Sequence, residues 1–326
     1  MRHLKKKSFG KKFTIILLII IIVSYGSAFI IIKNSNFSLQ NFINDCLYNP
    51  NIHFGFNSYN NYNNSYDLNL NKTHNLNDIN TISCDFPLGN ISVIPWDGSE
   101  VKVTFDGHIR SNENLENIDI SFSKEDSTLN IYLLKNNSNL WTPDTLKIYI
   151  PKNYNSNLQL SSSTGIINVC DLNYSDLKLD TISGVINLKN ITCNNFSSNS
   201  VSGNMHYENL TVKNSNINST SGDIYIDNFS GELNSSTVSG ALNLTLSSVK
   251  NNIKFNSTSG NVFIYFPSNS SIKFKCSTVS GNISYHSPTK DENLHNKRQF
   301  NYILNNGDNS IDISTMSGKV EFNTTN

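Results

Sequence analysis

The sequence predicts an all-β fold, a β-solenoid (β-helix) of coils about 19 residues long, preceded by one N-terminal transmembrane helix. Three observations carry that expectation. A short signature, Ser/Thr-x-Ser/Thr-Gly, recurs eight times between Ser161 and Gly318, with its glycines at Gly165, Gly184, Gly203, Gly222, Gly240, Gly260, Gly281 and Gly318. They lie 19, 19, 19, 18, 20, 21 and 37 residues apart, an internal repeat with one doubled interval. After every glycine the second and fourth positions are apolar or aromatic, from Ile167 and Val169 through Ile224 and Ile226 to Val320 and Phe322. The residues beside them, such as Asn168, His206 and Asn243, are polar, which is the period-two pattern of a half-buried strand. The third observation is at the N-terminus, where a basic cluster precedes 20 residues without a charge.

Residues 1–12 hold Arg2, Lys5, Lys6, Lys7, Lys11 and Lys12 and no acid, and are expected in the cytoplasm. Phe13 to Ile32 are long enough to span a bilayer as one helix. Gly26-Ser27-Ala28 would suit a cleavage site, but Phe29 to Ile32 continue the apolar run past it. The reading is therefore an uncleaved signal-anchor in the cell membrane, single-pass, with the rest of the chain outside. Residues 33–79, rich in Asn, Ser and Tyr, are expected to be a flexible linker, because such a composition buries too little to order itself.

Residues 80–326 form the solenoid domain, 80–157 as an irregular first half and cap, and 158–326 as the Ser-Gly repeats. Strand candidates in the first half include Thr81–Phe86, Asn90–Pro95, Val101–Phe105, Leu129–Leu134 and Leu146–Ile150, with turns at Asp97-Gly98 and Asp106-Gly107. Gly89, followed by Ile91 and Val93, obeys the repeat rule 76 residues before Gly165, which reads as an early coil four periods upstream. Within the repeats a second short strand precedes each glycine, as at Leu158 and Leu160, Leu177 and Leu179, or Ile253 and Phe255. One coil cannot cover its own apolar rims, so neighbouring coils must stack. The glycines fall on the inward side, where a missing side chain lets walls approach. The doubled interval before Gly318 holds Lys290, Asp291, Glu292, Lys297 and Arg298, and reads as a charged loop inserted into an uncharged run.

The third and first positions before each glycine are always Ser or Thr. In the central coils these are Thr181, Ser200, Ser219 and Thr237, and Ser183, Ser202, Ser221 and Ser239. Two readings are open. The hydroxyls are either a ladder satisfied by its own neighbours and the turn backbone, or an outward candidate binding face for a repetitive surface such as glycan or ice.

The Ser-Gly repeat with its alternating apolar residues, together with the upstream run Leu146-Lys147-Ile148-Tyr149-Ile150-Pro151-Lys152, resembles a bacterial family of putative adhesins, a domain of unknown function with β-strand repeats. The resemblance spans roughly residues 80–326. It implies the β-repeat fold and carries no catalytic residues.

Chemistry is sparse. Cys46, Cys84, Cys170, Cys193 and Cys276 form no C-x-x-C pair, and the histidines form no H-E-x-x-H, so no metal is expected. Asp180, Asp223 and Asp227 occupy different registers of the repeat and so make no stacked carboxylate pair for glycoside hydrolysis. No helix follows the glycines to hold a phosphate, and no cofactor is expected. Beyond Ile32 the chain carries 19 Lys plus Arg against 25 Asp plus Glu, a formal charge of −6, which argues against nucleic acid as a partner. The leading functional expectation is a non-enzymatic, membrane-anchored surface protein for adhesion or envelope interaction. Its expected partners are the membrane, through residues 13–32, and cell-wall glycan or another surface protein. The alternatives are an accessory or sensor of an envelope-stress system and a polysaccharide-active β-helix enzyme.

Overall fold

The computed structural model describes residues 64–325, apart from 88, 112–113, 116, 134–139, 288–289 and 294–297. The basic segment 1–12, the transmembrane helix expected at 13–32 and the linker up to residue 63 lie outside the described residues. Every regular element among the described residues is a β-strand.

The strand Ile167–Thr181 shows how a coil is made. Its inward side chains, Ile167, Val169, Leu172, Tyr174, Leu177 and Leu179, are buried, and they alternate with outward ones. The alternation slips at Asp171 and again at Ser175, where pairing to the next coil lapses and the chain changes direction. Asp171 has a φ of 54°, and its equivalents Asn190, Asn209 and Asn228 have 54°, 56° and 58°. Asn and Asp tolerate this left-handed region better than other side chains, so an Asx six residues after the glycine turns a corner in one residue. Three straight runs and the Ser/Thr-x-Ser/Thr-Gly turn complete the coil. Coils then pair in parallel: Ile167 lies beside Ile186, Ile186 beside Met205, and Met205 beside Ile224.

The repeat glycines form a stack of their own. From Gly165 on, a Cβ added to any of them would sit 1.6 to 2.3 Å from the carbonyl oxygen of the glycine in the neighbouring coil. No side chain fits there, so the glycines are required by the close approach of one turn to the next.

At both ends the order of coils in space departs from their order along the chain. Thr81–Asp85 pairs in parallel with Asn157–Ser162, and Ile91 lies beside Ile167. Gly89 is therefore the immediate neighbour of Gly165, which corrects the expectation of a coil four periods upstream. On their other side these strands pair with Thr128–Tyr132 and Thr145–Pro151, so the later segment forms the outer coil. Val101–Ser111 runs antiparallel to Thr145–Pro151 and to Asn64–His74. Residues 64–79, expected to be linker, thus belong to the domain, with Tyr66, Leu68, Leu70 and Leu76 packed against the core.

The C-terminal end repeats this arrangement. Asn309–Thr315 and Val320–Thr325 enter between the Gly260 coil on one side and the Gly281 coil on the other. The doubled interval is thus more than a charged loop. Lys290–Asn293 hairpins back onto Ile283–Ser287, and Gln299–Leu304 pairs antiparallel with Ile272–Thr278. Aromatic packing marks this end of the core: the ring of Phe274 lies 4.9 Å from Phe322 and 5.2 Å from Phe266.

Candidate functional site

The glycine turn divides the eight hydroxyls of the expected binding face into two columns. Thr181, Ser200, Ser219 and Thr237 point inward and are 6%, 1%, 0% and 6% exposed. This corrects the reading of one outward face. Their oxygens serve the turn itself: the Gly184 N–H donates to Thr181 at 2.9 Å, and Ser200 and Thr237 donate to the carbonyls of Gly203 and Gly240 at 2.7 and 2.8 Å. The Ser219 hydroxyl is buried with no hydrogen-bond partner. Ser183, Ser202, Ser221 and Ser239 are exposed and tied mainly through their backbones, for example Ser202 N–H to the Ile182 carbonyl at 2.7 Å, while the Ser239 hydroxyl also donates to the Thr220 carbonyl at 3.4 Å. The sequence held the signal for the inner column only, since the same parity would also turn the first position before Gly inward. Leu177 and Leu179, or Ile253 and Phe255, stand at odd distances before their glycines, so the inward face of that strand continues onto the third position before Gly, not onto the second.

Sequence reasoning missed a second feature, side-chain amide ladders. At the left-handed corner, Asn190 donates to Asp171 at 2.6 Å, Asn209 to Asn190 at 2.7 Å and Asn228 to Asn209 at 2.5 Å. A second ladder runs from Asn214 through Asn195 to Asp176, at 3.1 and 2.7 Å, and a third from Asn218 through Asn199 to Asp180, at 3.2 and 2.7 Å. All three end on an Asp of the same strand, Ile167–Thr181. A carboxylate only accepts, so each Asp sets the direction in which the amides above it donate. The clue was an Asx six residues after Gly165, Gly184, Gly203 and Gly222.

Two shallow grooves cross the outer surfaces of these coils. One, of about 570 Å³, is lined by Asn187, Lys189, His206, Glu208, Tyr225 and Asp227, among others. Its His206 and Tyr225 rings are stacked, with centroids 4.8 Å apart and planes 5° apart, and Lys189 pairs with Glu208 at 2.9 Å. The rings face each other, so each has one face covered by the other. The other groove, of about 580 Å³, carries the ladder from Asn214 to Asp176 and is bordered by Gln159, Asn216 and Asn234.

Three of the four described thiols, Cys84, Cys193 and Cys276, are withdrawn from solvent, and Cys170 is partly exposed. Burial pushes the thiols of Cys193 and Cys276 up to about 12 and raises that of Cys84 further, so all three stay protonated. Burial likewise raises the phenols of Tyr174 and Tyr207. Among the described residues no three His, Cys, Asp or Glu side chains gather into a metal site.

Several solved structures are similar in part. They include a putative adhesin from Bacteroides fragilis (14% identity, 79% of this chain and 97% of that one, TM-score 0.46). A putative lipid binding protein from Parabacteroides distasonis shares 17% identity over 79% of this chain and 97% of its own, with a TM-score of 0.47. A putative cell adhesion protein from Clostridium sporogenes shares 12% over 80% and 100%, with a TM-score of 0.28. No curated protein matches the chain. The family described as Toastrack DUF4097 matches residues 64–323, most of the chain, and the protein belongs to that family.

Proposed function

We propose that this protein is a non-enzymatic surface module that presents a laddered β-face outside the cell for adhesion or envelope contact, held to the membrane by residues 13–32. One observation carries the reading. Like side chains stand in register on successive coils, as Asp176, Asn195 and Asn214 do, at the roughly 4.8 Å spacing of paired strands. Catalysis needs a few groups with unlike environments converging in one cleft. Here the Cys84, Cys193 and Cys276 thiols are buried and protonated, and the carboxylates at the ladder ends are spread along one strand. A regular face suits many weak contacts, whose avidity grows as copies crowd on a membrane.

The test uses the full chain in liposomes at low and high surface density, mixed with bacterial envelope fragments. Retention of fragments that rises steeply with density is expected. No retention at any density overturns the reading, and release of soluble sugar from the fragments replaces it with an enzyme.

A further inference from the structure

We propose that the groove bordered by Gln159, Asn216 and Asn234 binds a neutral, hydroxyl-rich linear glycan laid along the coil axis. The proposal rests on the adhesion reading above and names the ligand class for it.

The chemistry of the lining excludes other ligands in turn. Its outward side chains are polar, among them Asn195, Asn214, Asn216, Asn234 and Gln159. An apolar ligand would strand these groups without partners. The charged members are Asp176, Glu232 and Lys178, and Lys178 already lies 3.4 Å from Asp180. A polyanion would meet like charge with no free basic cluster to hold it. A sugar hydroxyl both donates and accepts, and a side-chain amide does the same, so a neutral glycan satisfies this lining group by group.

The groove is also organised before any ligand arrives. The Asn195 amide donates to Asp176 at 2.7 Å and accepts from Asn214 at 3.1 Å. These contacts leave one amide hydrogen of Asn195 for a ligand on a side chain that is already ordered. Binding then forgoes much of the rotamer loss that long polar side chains otherwise suffer. Parallel pairing without offset repeats each group on the next coil, as with Asp176 beside Asn195 and Asn195 beside Asn214. The coil spacing of about 4.8 Å is close to the advance of one sugar in an extended chain, so successive sugars meet successive coils.

The experiment uses liposomes carrying the full chain over an array of linear glycans of equal length, neutral glucan, mannan and N-acetylglucosamine polymers beside their sulfated forms. Retention on at least one neutral polymer and not on its sulfated form is expected. The triple variant Gln159→Glu, Asn216→Asp, Asn234→Asp should lower retention at least tenfold. All three positions are exposed, so its melting temperature should match wild type. A soluble form of the retained polymer should release bound wild-type liposomes, which answers the question without any variant. Undiminished retention by the variant, failure of release, or retention on sulfated polymers alone overturns the proposal. Envelope fragments run in parallel separate the two readings. Fragments held while every neutral glycan fails leave adhesion standing and remove this ligand class, whereas failure of both removes the adhesion reading itself.

Discussion

Gly318 lies directly against Gly260, although the chain builds the whole Gly281 coil between them. The last segment therefore closes the structure from within. Val320 pairs with Val262 on one side and Ile283 on the other, and among the described residues the Gly281 coil has no parallel partner except this segment. The N-terminal end mirrors this, with Gly89 next to Gly165 and the later strands outside it.

Deleting residues 309–326 should detach the Gly281 coil while the central coils stay folded. The burial of Ile311, Ile313, Val320 and Phe322 is lost, about 1.5–3 kcal/mol for each. Limited proteolysis should then cut within Ile272–Thr278 and Ile283–Ser287, whose pairing to the final segment should protect them in the intact chain. Equal resistance in both forms would show that the outer coil docks without its neighbour.

Gly203→Ala should destabilise by about 3 kcal/mol or more, since its Cβ would sit 1.6 Å from the Gly184 carbonyl oxygen. Ser202→Ala, one residue away and exposed, should stay within about 0.5 kcal/mol of wild type. Denaturant melts of the two variants compare them directly, and similar losses would contradict the glycine stack.

The two hydroxyl columns should respond differently to lysine. Replacing Ser200, Ser219 and Thr237 together with Lys should unfold the coils, because three ammonium groups would enter the turn interior. The same change at Ser183, Ser202 and Ser221 should leave the circular dichroism spectrum intact. Within the inner column Ser200→Ala should cost about 1 kcal/mol for its lost hydrogen bond. Ser219→Ala should be neutral or stabilising, as it removes a buried hydroxyl without a partner.

Asn209 both continues an amide ladder and turns a corner at a φ of 56°. Asn209→Val should cost about 2 kcal/mol or more, since a β-branched side chain is strained there. Asn209→Gly keeps the corner and loses the ladder, so its loss should be smaller. Both variants lose the ladder, so melting of the two isolates the corner, and equal losses would show that the left-handed corner does not discriminate against Val.

Alkaline pH should unfold the domain through its buried acids. The Cys193 and Cys276 thiols rise from 9.0 in the unfolded chain to about 12 in the fold, through burial. The protonated forms are favoured by folding, so their stabilisation is complete below pH 9 and is lost as pH climbs toward 12. Denaturation midpoints should hold steady from pH 6 to about 8.5 and fall beyond 9. A Cys193→Ala, Cys276→Ala variant should flatten part of that fall, and an identical fall in the variant would assign it to Cys84, Tyr174 and Tyr207 instead.

Much of this architecture was legible in local spacing. The second and fourth positions after each glycine are buried wherever a repeat was seen, as Ile224, Ile226, Leu242 and Leu244 show. The amide ladders were written in the same spacing but hidden by composition. In a chain so rich in Asn, the three Asn and one Asp at the corner do not stand out until their left-handed φ is seen. Linker and domain were confused for the same reason, since Tyr66, Leu68 and Leu70 alternate properly within an Asn-rich stretch.

Period and parity follow from the chain alone, because a side chain's direction depends only on its near neighbours along the strand. That was enough for the coil length, the apolar interior and the place of the glycines. Which coil lies beside which is a different matter. Every coil presents the same ladder of N–H and C=O groups, and local pattern does not distinguish one partner from another. Only the packed fold, with Phe322 against Phe274 and Gly318 against Gly260, sets the final coil inside the one before it. The exposure of the outer hydroxyl column was decided there too, since Ser200 continues the inward parity of its strand while the turn after it leaves Ser202 in water.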